Sequence, residues 1–214
     1  MDICVVDYGS GNLRSAAKAL ERALKESEID GQVHVTADRQ TIQKADRIVL
    51  PGVGAFADCQ SGIKAIPGLW QELDDAVLKV GKPLLGICVG MQLMADCGRE
   101  FGNTPGFGWV PGEVSALAPS GITLKIPHMG WNNLNLPANP HPILEGIENG
   151  AHAYFVHSYS FKCSDPAMQL ATVDHGEEIT AVIGHNNVVG TQFHPEKSQA
   201  VGLQVLKNFL TWSP

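Results

Sequence analysis

Cys88 stands between glycines at 86 and 90 in the run Gly86-Ile87-Cys88-Val89-Gly90-Met91-Gln92. Lys82-Pro83-Leu84-Leu85 leads into it like an apolar strand, and Met91, Leu93, Met94 and Ala95 follow like the start of a packed helix. A nucleophile on a sharp strand-to-helix turn needs small neighbours, because the backbone there is strained and crowded. Such a turn sets the thiol near a helix N-terminus, where free N–H groups favour a thiolate and can hold a developing oxyanion. The competing reading is one more buried cysteine, a common setting for that residue.

A thiol nucleophile also needs a base and a group that orients the base. Of eight histidines, His194 follows a strand-like run in Gln192-Phe193-His194-Pro195-Glu196. Ends of parallel strands are where ligands are met. Glu196, two residues on, can reach back to fix the imidazole tautomer and stabilise the imidazolium. A surface His-Pro turn is the alternative. His34, His141, His175 and His185 read as strand or exposed turn residues, whereas His128, His152 and His157 could line a site. None has metal-ligand spacing such as His-Glu-x-x-His, so no metal is expected. Pro51-Gly52-Val53-Gly54 ends a strand expected beside that of Cys88. Backbone N–H groups of Gly52, Val53 and Gly54, with that of Val89, make a candidate oxyanion hole. An ordinary strand-ending turn would look the same.

These residues need a frame. Ile3–Val6, Val33–Val35, Arg47–Leu50 and Leu84–Leu85 read as buried strands. Between them, Leu13, Ala16, Ala17, Leu20 and Leu24 mark one helix, and 56–79 is mostly helical with a break at Pro67-Gly68. Alternating strands and helices predict βαβ units and a parallel sheet. After Gly98 the pattern changes. Glu113–Leu117 and Ile122–Ile126 alternate like half-exposed strands, and Pro127–Asn132 reads as a loop. Residues 153–161 alternate continuously, Ile179–Ile183 and Val188–Phe193 form a hairpin, and Val201, Val205, Leu206, Phe209 and Leu210 mark a closing helix. The expectation is one α/β domain over 1–214, with a central, mostly parallel sheet flanked by helices and strand-rich insertions in its second half.

Composition bounds the function. The 214 residues, 44% hydrophobic and 17% charged, can bury a full core. A net charge of −7 argues against nucleic acid or an anionic membrane as the main partner. Five cysteines without Cys-x-x-Cys spacing suit reduced thiols. With no signal-like start and no apolar run long enough to span a bilayer, a cytoplasmic location is expected. Gly9-x-Gly11 lacks the third glycine of a dinucleotide fingerprint, since Arg14 holds that place, and no phosphate-cradling loop occurs, so no cofactor is expected.

Together these motifs resemble the class I, triad-type glutamine amidotransferases. Gly-Ile-Cys-Val-Gly-Met-Gln is similar to their nucleophile elbow, and His194-Pro195-Glu196 to their His-x-Glu. Asp7–Ser15, Pro51–Gly54, Pro127–Asn132, Tyr154–Tyr159 and His194–Ser198 resemble one branch, the glutaminase subunits of imidazole glycerol phosphate synthase. The resemblance implies Cys88 as nucleophile, His194 as base then acid, and Glu196 as its orienter. It implies that Gln92 and the Ser158-Tyr159 backbone hold L-glutamine, and that Asn12, Trp131 and Lys197 meet a partner. That partner would be a (β/α)8-barrel cyclase forming a heterodimer, which turns the ammonia into imidazole glycerol phosphate and an aminoimidazole carboxamide ribotide in histidine biosynthesis. Trp131 as a core aromatic is the plainer alternative. A different class I amidotransferase, a stand-alone cysteine hydrolase and a non-enzymatic module are the competing functions.

Overall fold

Two uninterrupted buried strands set the centre of the fold. A computed structural model describes residues 1–119 and 124–214. Its first half runs β1 (Asp2–Val6), α1 (Leu13–Glu26), β2 (Gln32–Thr36), α2 (Arg39–Lys44), β3 (Arg47–Gly52), α3 (Phe56–Ala65), α4 (Leu69–Asp74), β4 (Leu84–Cys88) and α5 (Val89–Gln92). Then come β5 (Cys97–Gly98), β6 (Thr104–Pro105), β7 (Gly112–Ala116), β8 (His128–Asn133), β9 (His152–His157) and β10 (Tyr159–Cys163). The chain closes with β11 (Gln169–Asp174), β12 (Glu178–His185), β13 (Val188–Thr191) and α6 (Gln199–Thr211).

Every residue of β3 and β4 is buried, as both faces of a covered parallel sheet require. The main sheet has the order β11-β12-β13-β4-β3-β1-β2. Strands β2, β1, β3, β4 and β13 are mutually parallel, and β12 and β11 join antiparallel. This is the predicted α/β architecture. Helix α1 turns Ala16, Ala17, Leu20, Ala23 and Leu24 inward, one stripe of a 3.6-residue period. Helix α6 buries Val205, Leu206, Phe209 and Leu210 in the same manner. The predicted β12–β13 hairpin forms, with its turn at Asn186-Asn187 and Asn186 at φ 50°.

The topology places the site. Parallel strands end at one edge, so Gly52 of β3, registered on Cys88 of β4, and the exit of β13 flank the cysteine from opposite sides. β13 stops at Thr191, two residues earlier than the apolar pattern predicts; beyond it the Gln192 N–H still bonds the Ala181 carbonyl of β12 while its side chain reaches Cys88.

Several local expectations need correction. The helix after Cys88 is a single turn, although Leu93, Met94 and Ala95 are fully buried. Their carbonyls instead accept from Phe107, Val110 and Gly108, so the incoming loop ends the helix. Residues 128–133 form a strand, not a loop, because β8 pairs antiparallel with β9 from His128↔His157 to Asn133↔His152. Residues 153–161 do not alternate continuously. The ribbon breaks at Ser158, after which Ser160 and Phe161 are both buried and β10 joins β7 in a second sheet. Of the strand expected at 122–126, residues 122–123 lie outside the described residues, and Leu124–Ile126 are not in a strand. His175 is half-buried, stacked on His128 with centroids 4.2 Å apart. No helix among the described residues is long and apolar enough to cross a membrane.

Candidate active site

Cys88 takes φ 55°, ψ −112° at the junction of β4 and α5. A left-handed non-glycine residue is uncommon and is held only where its surroundings over-determine it. Here the surroundings are the two glycines. A Cβ on Gly90 would overlap the carbonyl oxygen of Leu50, and one on Gly86 would sit 2.6 Å from Met94 Cε and 2.7 Å from the Gly90 oxygen. The elbow therefore exists because β3 and the α5 turn press against backbone with no side chain.

The thiol is buried. Its Sγ lies 3.9 Å from the Val156 carbonyl, to which it donates, and accepts from Gln192 Nε2 at 3.7 Å. His194 enters from the β13 side, and its Nδ1 is 2.9 Å from Glu196 Oε1 with both side chains buried. A carboxylate only accepts, so Nδ1 carries the proton and Nε2 is left for chemistry. That Nε2 is buried without a hydrogen-bond partner. Burial alone would lower the His194 pKa, but interactions with Cys88 and Glu196 outweigh it and raise the pKa to about 9. This raised pKa favours the charged imidazolium at His194. Ser198 fixes the loop, its hydroxyl donating to the His194 carbonyl at 2.7 Å and accepting from Tyr154 N–H at 2.9 Å.

On the β3 side the turn at 52–54 is tied back to the segment after β1. Ser10 Oγ accepts from Val53 N–H at 3.3 Å and donates to Val53 O at 2.6 Å. Cys59 Sγ donates to the same carbonyl at 3.3 Å, and Tyr8 Oη donates to Pro51 O at 2.7 Å. The Val53 N–H therefore points at Ser10.

The far wall is built on Tyr159. Its carbonyl accepts from His157 Nδ1 at 2.9 Å and from Gln92 Nε2 at 3.1 Å. With Nδ1 of His157 a donor, its Nε2 must accept from His128 Nδ1 at 2.9 Å, and His128 Nε2 in turn accepts from Asn132 Nδ2 at 3.1 Å. Burial, helped by neighbouring imidazoles, holds the His128 pKa near 3 and that of His157 near 4, so the chain is neutral and its direction fixed. A cavity of about 170 Å³ lies between these walls, touching Cys88, His194, Gln92, Glu100, Val53 and the 156–159 segment. That volume suits one small molecule.

The model of the class-I glutamine amidotransferases matches residues 4–212. The chain belongs to that family. Among similar amidotransferases, imidazole glycerol phosphate synthase subunit HisH of Rhodospirillum rubrum is 55% identical over 214 residues, covering all of both chains. The HisH subunit of Brucella suis is 52% identical over 217 residues, again covering all of both. A solved glutamine amidotransferase has a TM-score of 0.69 at 19% identity, covering 97% of this chain and 96% of its own. The glutaminase domain of Trypanosoma brucei CTPS with bound acivicin has a TM-score of 0.65 at 14% identity, covering 100% and 95%. These two share the amidotransferase fold.

Within this amidotransferase chain, Cys88, His194 and Glu196 come together, and Val53, Gly54, Val89, Gln92, Ser158 and Tyr159 line the same cavity. Trp131 is 47% exposed, so it is not a core aromatic. It meets Tyr154 edge-on at 5.8 Å, and Lys197 Nζ lies 5.6 Å from the same ring. Asn12 sits at the start of α1 with no side-chain cap bond. Four neighbours escaped the sequence reading: Glu100, Ser10, Cys59 and Gln192. Only Gln192 had a local signal, a polar residue in an apolar strand end.

Proposed function

We propose that this chain is the glutaminase subunit of a two-subunit imidazole glycerol phosphate synthase, releasing ammonia from L-glutamine for a cyclase in histidine biosynthesis. The observation that carries the reading is the full-length 55% identity to a protein of that name, joined to a thiol, an imidazole and a carboxylate at one strand edge.

The chemistry follows from the groups present. The Cys88 thiolate attacks the side-chain amide carbon of glutamine. The C–N bond breaks as His194 gives its proton to the departing nitrogen, so ammonia leaves and a glutamyl thioester remains. His194, now neutral, takes a proton from water, which attacks the thioester. The carbon–sulfur bond breaks, giving glutamate and restoring the thiolate beside the protonated His194. Glu196 keeps Nε2 aimed at these transfers and stabilises the imidazolium. Both Nε2 hydrogens of Gln92 are already donated, to Tyr159 O and Gln192 Oε1, so its Oε1 is what can accept from the substrate. Glu100, on the cavity wall, suits the α-ammonium group of glutamine. The carbonyls of Ser158 and Tyr159 are taken by Leu117 N–H, His157 and Gln92, which leaves their N–H groups for the substrate carboxylate.

The oxyanion formed at the amide carbon needs donors, and Val89 N–H after the nucleophile is one. Val53 N–H is a second only after it leaves Ser10. A partner that rotates the Gly52–Gly54 backbone would complete the hole, which makes glutaminase activity conditional on that partner. A (β/α)8-barrel cyclase docking through Asn12, Trp131 and Lys197 fits this requirement, with exposed Trp131 and Met129 as apolar anchors. The working site is cytoplasmic, without membrane or nucleic acid. Ammonia released from glutamine, measured with and without the purified cyclase and its ribotide ligand, tests the reading. Low release alone and strong stimulation in the complex are expected. Activity on peptides, or no stimulation, overturns it.

A further inference from the structure

Gln192 is fully buried, and the mechanism above gives it no task. Its orientation is dictated by a carbonyl on the opposite wall. Tyr159 O can only accept, so the Gln92 group 3.1 Å from it is the amide nitrogen. That same nitrogen lies 3.0 Å from the Gln192 side chain, where a second nitrogen would place donor against donor. The Gln192 atom facing Gln92 is therefore its oxygen, and the atom facing Cys88, 3.7 Å from Sγ, is its N–H donor. The hydrogen-bond chain has one direction: from Gln92 into both Tyr159 and Gln192, and from Gln192 onto the sulfur.

We infer that Gln192 is a further catalytic residue, a fixed amide donor that stabilises the Cys88 thiolate and is itself aimed by Gln92. A neutral thiol is a weak acceptor, whereas a thiolate takes a charge-assisted bond about twice as strong as a neutral one. The donor therefore favours the charged form of a thiol that is itself buried. Because Gln92 also contributes to the substrate pocket, the same chain ties the binding wall to the nucleophile. The role in turnover rests on the glutaminase reading, but the effect on the thiol does not.

The test is the rate at which iodoacetamide alkylates Cys88 in the full chain, read on the Cys88 peptide by mass spectrometry between pH 5 and 10. Gln192→Met keeps the volume and removes the donor. Alkylation at pH 7 is expected to slow about tenfold, with the pH–rate profile moved to higher pH and the alkaline plateau preserved. Gln192→Glu, which sets a carboxylate beside the sulfur, is expected to slow it further. A packing defect would instead expose the thiol and speed alkylation at every pH. In the wild-type chain the Gln192 side-chain amide resonance should follow the titration of the thiol and stop moving in Cys88→Ala, a readout that does not depend on a Gln192 variant folding. Unchanged alkylation profiles, or an amide resonance indifferent to the thiol, overturn the inference. A shifted profile in a chain that releases no ammonia from glutamine would instead retain this inference and remove the glutaminase reading.

Discussion

Ser10→Ala offers a direct way to free the turn at 52–54 that is proposed to hold the oxyanion. The hydroxyl it removes accepts from Val53 N–H at 3.3 Å and donates to Val53 O at 2.6 Å. Each such bond contributes about 1 kcal/mol net, so the pair favours the resting orientation by roughly 2 kcal/mol. Cys59 still donates to Val53 O at 3.3 Å and keeps part of that preference. With 1.4 kcal/mol per decade, release of Ser10 raises the population of the rotated turn by about thirtyfold. The ceiling is the value of one oxyanion donor, roughly 10²–10³ in rate. The assay is ammonia release by the chain alone and by the chain with cyclase and ribotide. The cyclase-free rate is expected to rise about thirtyfold with the stimulated rate unchanged, so the stimulation ratio falls by the same factor. Ser10→Thr, which keeps a hydroxyl, should behave like the wild type. A cyclase-free rate that stays level, or a parallel fall of both rates, would refute the reasoning. Substituting Gly52 is a less clean probe, because a Cβ there would lie 2.7 Å from Gly90 N and 2.8 Å from Tyr8 Oη.

Glu196→Gln should lower glutamine turnover by roughly 10²–10⁴, since an amide can present the wrong partner to Nδ1 and no longer stabilises the imidazolium. The same variant has a pH signature. A histidine raised from 6.5 to about 9 adds stability that is fully present below pH 6.5 and lost as pH rises through 9. The wild-type melting temperature should therefore drop more steeply than that of Glu196→Gln between pH 6.5 and 9.5, as followed by thermal denaturation. Gly90→Ala should destabilise the chain by about 3 kcal/mol and disable the elbow, because the added methyl overlaps the Leu50 carbonyl; denaturant unfolding measures it.

What could be read from the sequence was what short stretches encode. The glycines around Cys88 declare a crowded turn by spacing alone, and Glu196 lies within reach of His194 because only Pro195 separates them. The buried runs of β3 and β4 likewise carry their own signal. What could not be read is lateral. Residues 128–133 look like a loop by their proline, glycine and asparagine, and become a strand only because residues 152–157 pair with them. Ser10 meets Val53, and Gln92 meets Gln192, across 43 and 100 residues of chain. No local pattern announces such contacts. Glu100 shows the same limit, since it reaches the cavity from a loop while accepting from Phe56 N–H at the start of α3.

In the proposed function, Cys88 makes ammonia from glutamine for chemistry performed by another subunit. Product formation by the complex of Cys88→Ala with the cyclase and its ribotide, supplied either with glutamine or with ammonium chloride, tests it most directly. Synthesis from glutamine should vanish while synthesis from ammonium persists at the wild-type rate. Continued synthesis from glutamine, or loss of both, would contradict the account.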